Sequence, residues 1–385
     1  MSLLISALTL CVNAVDNSVT TLNSSTLTVM GLKSNTSYYI MDISFKKYIN
    51  IYSASTSATT GVIGRNRNTN VDLAKWTLSF TSDGYVQFID PYNRALSINS
   101  SNGTYGDTNT GASNQKFIVV RRTSVDNYQG LYLIKYGNLY LTMSSTGAIS
   151  LSNSLDDATY WSICKSEKGS SILYDYSNIE PQTIYGASNY NSAISNLGYT
   201  HSEITDASAA KVYTRFRTST DLLCIATHGL YDSNGNALAG ISIDTGSSER
   251  LIFAHSNLSD LFPSHVSYSI NNLSNNVMSS YRCIFFIGCS TGISYVYNGT
   301  MYNLLQSAID KGCHCAVGTT EAITLNELSQ FYSLLSNYCD PNSSTDYSIS
   351  EIMNWIDHLS SSAFSASNGF PYVIYGDRYQ YLEFD

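Results

Sequence analysis

Charge is scarce in this chain. Asp, Glu, Lys and Arg make up 13% of its 385 residues, about half the roughly 25% of an average soluble protein. Basic residues number 20 against 29 acidic ones, the net charge is −9, and no long basic run occurs. That excludes the cationic stripe a phosphate backbone requires, so no nucleic-acid partner is expected. The apolar run near the N-terminus, LLISALTLCVNA, is too short to cross a bilayer, so no stable membrane insertion is expected either. A phosphate-cradling glycine loop, zinc-ligand spacing and a calcium-loop pattern are all missing from the sequence, and no cofactor or metal is expected. The eight cysteines do not form a disulfide framework. Cys224 and Cys283 lie inside apolar runs, where a thiol behaves as a small hydrophobe, and loss of Cys11 with a leader leaves an odd count.

What takes the place of charge is Ser, Thr, Asn and 31 tyrosines. Such a polar, uncharged surface suits an exported protein that faces carbohydrate. Apolar residues at 43% are enough for packed cores, and the length predicts two domains rather than one. Residues 1–14 read as a signal peptide, with Val12 and Ala14 as the small residues before the cut, although no Lys or Arg precedes the run. The protein is therefore expected to be secreted, with residues 15–36 as a linker.

Residues 37–165 carry a three-fold repeat. Its aromatic markers are Trp76 in LAKWTLSF, Phe117 in NQKFIVV and Trp161 in ATYWSIC, 41 residues (76 to 117) and 44 residues (117 to 161) apart. A second marker is a strand after a turn: KKYINIY, NRALSIN and GNLYLTM, with Ile49, Leu96 and Leu141 spaced by 47 and 45. Alternating apolar residues punctuated by Gly, Asn, Asp and Ser predict short antiparallel strands. This pattern resembles the ricin-B-type β-trefoil, whose repeats end in Gln-x-Trp. Only the second unit keeps the Gln, as Gln115 before Phe117; Ala74 and Thr159 stand there in the others. The resemblance implies a glycan ligand and makes Asp90, Asn93 and Gln115 the best candidate pocket. A trefoil used as a spacer or protein-binding module is the competing expectation.

Residues 166–385 follow a different grammar, after a join from about Ser166 to Asn178. LLCIAT (222–227) and CIFFIG (283–288) are compact apolar runs of the kind found in strands buried on both faces. Met301 to Asp310 and Leu325 to Leu335 have helical spacing, and CAVG (315–318) is a further strand. Alternation of strand and helix predicts an α/β sandwich with a mostly parallel central sheet.

Two motifs each follow directly on a buried strand: Thr227-His228-Gly229 and Gly288-Cys289-Ser290-Thr291-Gly292. Catalytic groups gather at the carboxyl ends of parallel strands, so neighbouring strands would present His228 and Cys289 side by side. A thiolate is the nucleophile, an imidazole moves its proton, and small residues let backbone N–H groups reach an oxyanion. Gly229 and Cys289 are the candidate oxyanion donors. Each motif alone is better read as structural, Cys289 as a buried thiol and His228 as a turn residue; the pair is not. Cys313-His314-Cys315 cannot converge on a metal from a strand, whose alternate residues face opposite ways. His201, His255, His265 and His358 have no partner pattern.

The stretch LLCIATHGLYDSNGNALAGISI resembles the His block of the CHAT branch of caspase-like (clan CD) cysteine peptidases, and CIFFIGCSTG resembles its Cys block. The resemblance spans about Leu222 to Tyr338. It implies an endopeptidase with a Cys289–His228 dyad acting on a protein or peptide substrate, and a first strand within Gln182 to Ser188. Gly288 replaces the branch's usual Ala, and Thr319-Thr320-Glu321 replaces its Trp-containing segment. The strand ending in Thr320 and Glu321 should wall the substrate pocket, where Glu321 would favour a basic side chain; Asp244 is a second candidate for that role. The alternative function is a carbohydrate- or surface-binding protein whose peptidase-like domain is inactive. A third is acyl transfer or hydrolysis on a non-peptide substrate.

Overall fold

The computed structural model describes residues 19–30, 32–52, 60–66, 71–122, 131–166, 168–175, 187–204, 209–243, 249–253, 258–259, 261–297, 299–338, 347–360, 370–380 and 382. The expected leader, 1–14, lies outside these residues. The stretch expected as a linker does not behave as one from residue 19 onward. It forms β1 (Val19–Thr21) and α1 (Ser24–Val29). Asn23 caps the helix by accepting from the Thr26 amide at 2.9 Å. Leu22, Leu27 and Leu32 are buried in the core that follows. Three leucines spaced among polar residues give too weak a periodicity to reveal this in the sequence.

Twelve strands then form three repeats of four. The first holds β2 (Thr36–Asp42), β3 (Lys47–Ile51), β4 (Thr60–Arg65) and β5 (Lys75–Phe80). The second holds β6 (Val86–Ile89), β7 (Arg94–Ile98), β8 (Thr104–Thr108) and β9 (Ile118–Arg122). The third holds β10 (Leu133–Tyr136), β11 (Leu139–Met143), β12 (Ile149–Ser152) and β13 (Trp161–Lys165). The outer strands of each repeat close a six-membered ring. β2 pairs with β5, β5 with β6, β9 with β10 and β13 with β2. Bridges Val86–Phe117 and Tyr132–Trp161 complete it. The inner pairs β3–β4, β7–β8 and β11–β12 are hairpins that cap the ring. A six-stranded barrel under three hairpins is β-trefoil architecture. Trp76, Phe117 and Trp161, one per repeat, are wholly buried in one shared cluster with Ile49, Leu96 and Leu141. Full burial of a side chain such as Phe117 contributes about 1.5–3 kcal/mol, and the repeat supplies that contribution three times over.

The second unit is a three-layer α/β/α sandwich. Its first strand, β14 (Ser170–Asp175), begins only five residues after the barrel's last strand ends at Lys165. It thus lies inside the expected join and not at Gln182 to Ser188. Ala187 and Ser188 open α2 (Ala187–Asn196), and 182–186 lie outside the described residues. The chain continues through β15 (Thr200–Ile204), α3 (Ala209–Arg215), β16 (Leu222–Ala226) and the antiparallel β17 (His228–Tyr231) and β18 (Ala237–Ser242). Next come β19 (Glu249–Phe253), β20 (Val266–Ser269) and β21 (Cys283–Ile287). The hairpin β22 (Ser294–Tyr297) and β23 (Thr300–Asn303) leads into α4 (Leu304–Asp310), so Met301 belongs to a strand and not to the helix. β24 (Cys315–Thr319), α5 (Leu325–Tyr338), α6 (Ile349–Ser360) and β25 (Tyr372–Gly376) complete the described elements.

The central sheet runs β15-β14-β16-β21-β24-β25. Its first five strands are parallel, and β25 is antiparallel to β24. Alternation along the strands divides the core. Leu222, Cys224, Ala226, Phe285 and Val317 pack under α2, α5 and α6 with Tyr190, Phe331 and Ile352. Leu223, Ile225, Ile284 and Phe286 pack under α3 and α4 with Val212, Phe216 and Leu305. Both faces are covered, which is why these strands read as unbroken apolar runs.

Candidate active site

β16 and β21 pair in parallel with Leu222 opposite Cys283 and Ala226 opposite Ile287. The ladder continues one step further, the Thr227 amide donating to the Ile287 carbonyl at 3.0 Å. At the same offset His228 stands level with Cys289. Both leave the sheet at its carboxyl edge, where each chain departs from the ladder. Glycine is required at two points here. A Cβ on Gly229 would overlap the Cys289 carbonyl oxygen, and one on Gly288 would overlap the Thr227 carbonyl. The two crossing segments therefore touch backbone to backbone, and the two candidate oxyanion donors, Gly229 and Cys289, are neighbours in space.

The Cys289 turn is held by several bonds. Ser290 adopts a positive φ of 57°, uncommon for a residue with a side chain. Its amide donates to the Glu321 carbonyl at 2.8 Å, and its hydroxyl meets the Tyr231 hydroxyl at 3.2 Å. Thr291 Oγ1 donates back to the Phe286 carbonyl at 2.5 Å, and Thr319 Oγ1 donates to the Gly288 carbonyl. The Gly292 amide donates to Thr319 at 2.7 Å. The turn is thereby tied to the end of β24 and held there. Cys289 is partly exposed, the other free cysteines among the described residues are buried, and His228 is exposed. The Cys289 sulfur accepts from the Ile323 amide at 3.4 Å and donates to the Ile323 carbonyl at 3.5 Å.

Thr320 and Glu321 are exposed in the loop that follows β24. The Glu321 carbonyl bonds the Ser290 amide, so the structure brings that loop against the Cys289 turn. Asp244 lies outside the described residues. Ile323 and Tyr231 are contacts that motif reading missed. Tyr231 sits in the quoted His block, whereas nothing in the sequence marks Ile323 beyond its position four residues after β24.

The candidate sugar residues fare differently. Asp90 and Gln115 are 3% and 1% exposed. Asp90 accepts from Arg94 Nε at 2.7 Å, from the Arg94 amide at 2.7 Å and from the Tyr92 amide at 2.9 Å. Gln115 Oε1 accepts from the Thr110 and Gly111 amides at 3.0 Å, and its Nε2 donates to the Thr108 carbonyl at 2.7 Å. Asn93 sits in the turn with φ of 61°. Asp90 and Gln115 thus brace the second repeat from inside and do not point into an open pocket. Arg94 is what takes Asp90 away. Among the described residues no group of His, Cys, Asp and Glu is arranged to hold a metal ion, and no helix is long and apolar enough to cross a membrane.

No known family profile matches the sequence, and no curated protein sequence matches it. Solved structures that resemble part of the chain include the designed three-fold symmetric protein ThreeFoil, at 20% identity over 33% of this chain and 96% of that one, with a TM-score of 0.29. SeviL, bound to the asialo-GM1 saccharide, is 13% identical over 35% of this chain and all of its own, with a TM-score of 0.29. An exo-β-1,3-galactanase from Clostridium thermocellum is 18% identical over 34% of this chain and 30% of its own, with a TM-score of 0.30.

Proposed function

We propose that the sandwich is a cysteine endopeptidase of the caspase-like, CHAT type, and that the barrel, a ricin-B-type module, carries it to a glycan-bearing surface outside the cell. The observation that supports the enzyme is the parallel register that sets His228 level with Cys289 at the carboxyl edge of adjacent strands. In this reading the Cys289 thiolate attacks the scissile carbonyl carbon. The oxyanion is received by the Gly229 and Cys289 amides, and the His228 imidazolium gives its proton to the departing amine. Water, deprotonated by His228, then hydrolyses the thioester. Glu321, in the loop bonded to Ser290, would favour a basic residue on the acyl side of the cut.

For the barrel, support comes from exposed aromatics at equivalent places: Phe45 in the β2–β3 turn and Tyr92 in the β6–β7 turn, 43% and 38% exposed. An exposed aromatic ring suits the apolar face of a sugar. The second reading is a surface-binding protein whose sandwich is inactive, and the bonding of the Cys289 sulfur to Ile323 on both sides favours it. Incubating the full chain with a peptide library separates the two. Cleavage abolished by Cys289→Ser and by His228→Ala is the expected result. A folded wild type that cleaves nothing supports the binding protein.

A further inference from the structure

A cavity of about 260 Å3 lies where the barrel meets the sandwich, on the far side of the sheet from Cys289. Its lining carries Lys33 and Lys165 from the barrel and Arg282 and His314 from the sandwich, with Asp221 and Ser279. In a chain of net charge −9, three permanent cations facing one space against a single carboxylate form a local excess of positive charge. Asp221 offsets one of them, its Oδ1 lying 3.6 Å from Lys165 Nζ. Arg282 is 4% exposed and is fixed by donating from Nη2 to the Lys165 carbonyl at 2.9 Å. Burial lowers the His314 imidazole to about 4, and Arg282 and Lys33 and Lys165 push the same way. The three cations and the imidazole line the same cavity, and the imidazole stays neutral beside them.

The volume falls below the roughly 300–1,000 Å3 of pockets for drug-sized ligands, so an occupant must be small. Fixed guanidinium, flexible ammonium groups and a serine are the donor set that oxyanions recruit. Asp221 and Arg282 immediately precede β16 and β21, the strands that present His228 and Cys289 at their other ends. By strand rise the cavity and the dyad are about 20 Å apart, and the two are separate sites.

We propose that this cavity binds a small oxyanion, a phosphate or sulfate group, held jointly by Lys33 and Lys165 of the barrel and Arg282 of the sandwich. Such a ligand neutralises the excess charge and joins the two units.

The test is calorimetric titration of the full chain with inorganic phosphate and, separately, with sulfate, at matched ionic strength. Thermal unfolding is followed in parallel. Saturable one-to-one binding that raises Tm is expected for at least one anion, and the stronger of the two identifies the source chemistry. Lys33→Gln and Lys165→Gln each weaken it by about tenfold, the loss of one charge-assisted contact, with the unliganded Tm nearly unchanged. Cys289→Ala binds as the wild type does. Absence of saturable binding by the wild type to both anions overturns the proposal. Affinities unchanged in both lysine variants overturn it equally, since they place any bound anion elsewhere.

Discussion

At the scale of single residues, the account turns on close contacts. Gly229 admits no side chain because the Cys289 carbonyl occupies the space. Gly229→Ala must push the two segments apart, at a cost of about 1–3 kcal/mol. Urea unfolding checks that cost. Any peptide cleavage should fall further than stability does, since the displaced atoms are those that would hold the oxyanion. Asp90 gives a second case. Removing its carboxylate takes away the 2.7 Å ion pair that Arg94, itself 3% exposed, makes with it. Asp90→Ala is expected to destabilise the barrel by about 3–5 kcal/mol, measured by urea unfolding. The sequence placed Asp90 and Gln115 correctly in the second repeat but could not show which way they point. A carboxylate reads the same whether it waits for a sugar or bonds an arginine four residues on. That His228 and Cys289 stand level was legible because both follow unbroken apolar runs. Ile323 was not, because its part is played by backbone N–H and carbonyl groups, which any residue carries.

At the scale of elements, the strands buried on both faces and the three aromatic repeat ends were the readable features. Burial on both sides writes itself as continuous hydrophobicity, and a shared core writes itself as a period. What was hidden is short and amphipathic. β14, the sequence SSILYD, has three core residues between two serines and an aspartate, and its nearness to the barrel made it read as part of the join. The segment that carries β1 and α1 buries Leu22, Leu27 and Leu32 in the barrel core, 5%, 1% and 1% exposed. They are part of the domain, and Leu27→Ala is expected to cost about 2–5 kcal/mol. Chemical denaturation with barrel fluorescence from Trp76 and Trp161 reads it. A cost near zero would return residues 19–32 to the status of a linker.

At the scale of the molecule, the barrel and the sandwich share a polar seam. Ser162 Oγ donates to the Tyr379 carbonyl at 3.1 Å, Lys46 meets Glu351 at 2.7 Å, and Tyr379 packs on Tyr39, Met41 and Cys164. Two titrating groups lie near it and act in opposite directions. His314 falls from 6.5 to about 4 on folding, through burial, against the backbone bond with Ser279 and with smaller help from the neighbouring cations. The unfolded chain binds the proton more readily between those values, so the stability this group contributes is complete above pH 6.5 and is lost as pH falls toward 4. Asp377 rises from 3.8 to about 7, through burial, against the bonds from Gln380 and Tyr379 and the charge of Arg121. The folded chain holds that proton more tightly, so its contribution is complete below pH 3.8 and is lost as pH rises toward 7. Melting curves across pH 4–7 should therefore show wild type losing stability relative to His314→Gln as pH is lowered. Relative to Asp377→Asn, it should lose stability as pH is raised.

In the proposed peptidase, the parallel register of β16 and β21 is what arms Cys289. Mass spectrometry of the full chain after exposure to a peptide bearing a thiol-reactive group tests it most directly. The account predicts one adduct, on Cys289, which disappears in Cys289→Ala and forms much more slowly in His228→Ala. A folded wild type that carries no adduct on Cys289, or labels there at the same rate without His228, would contradict it.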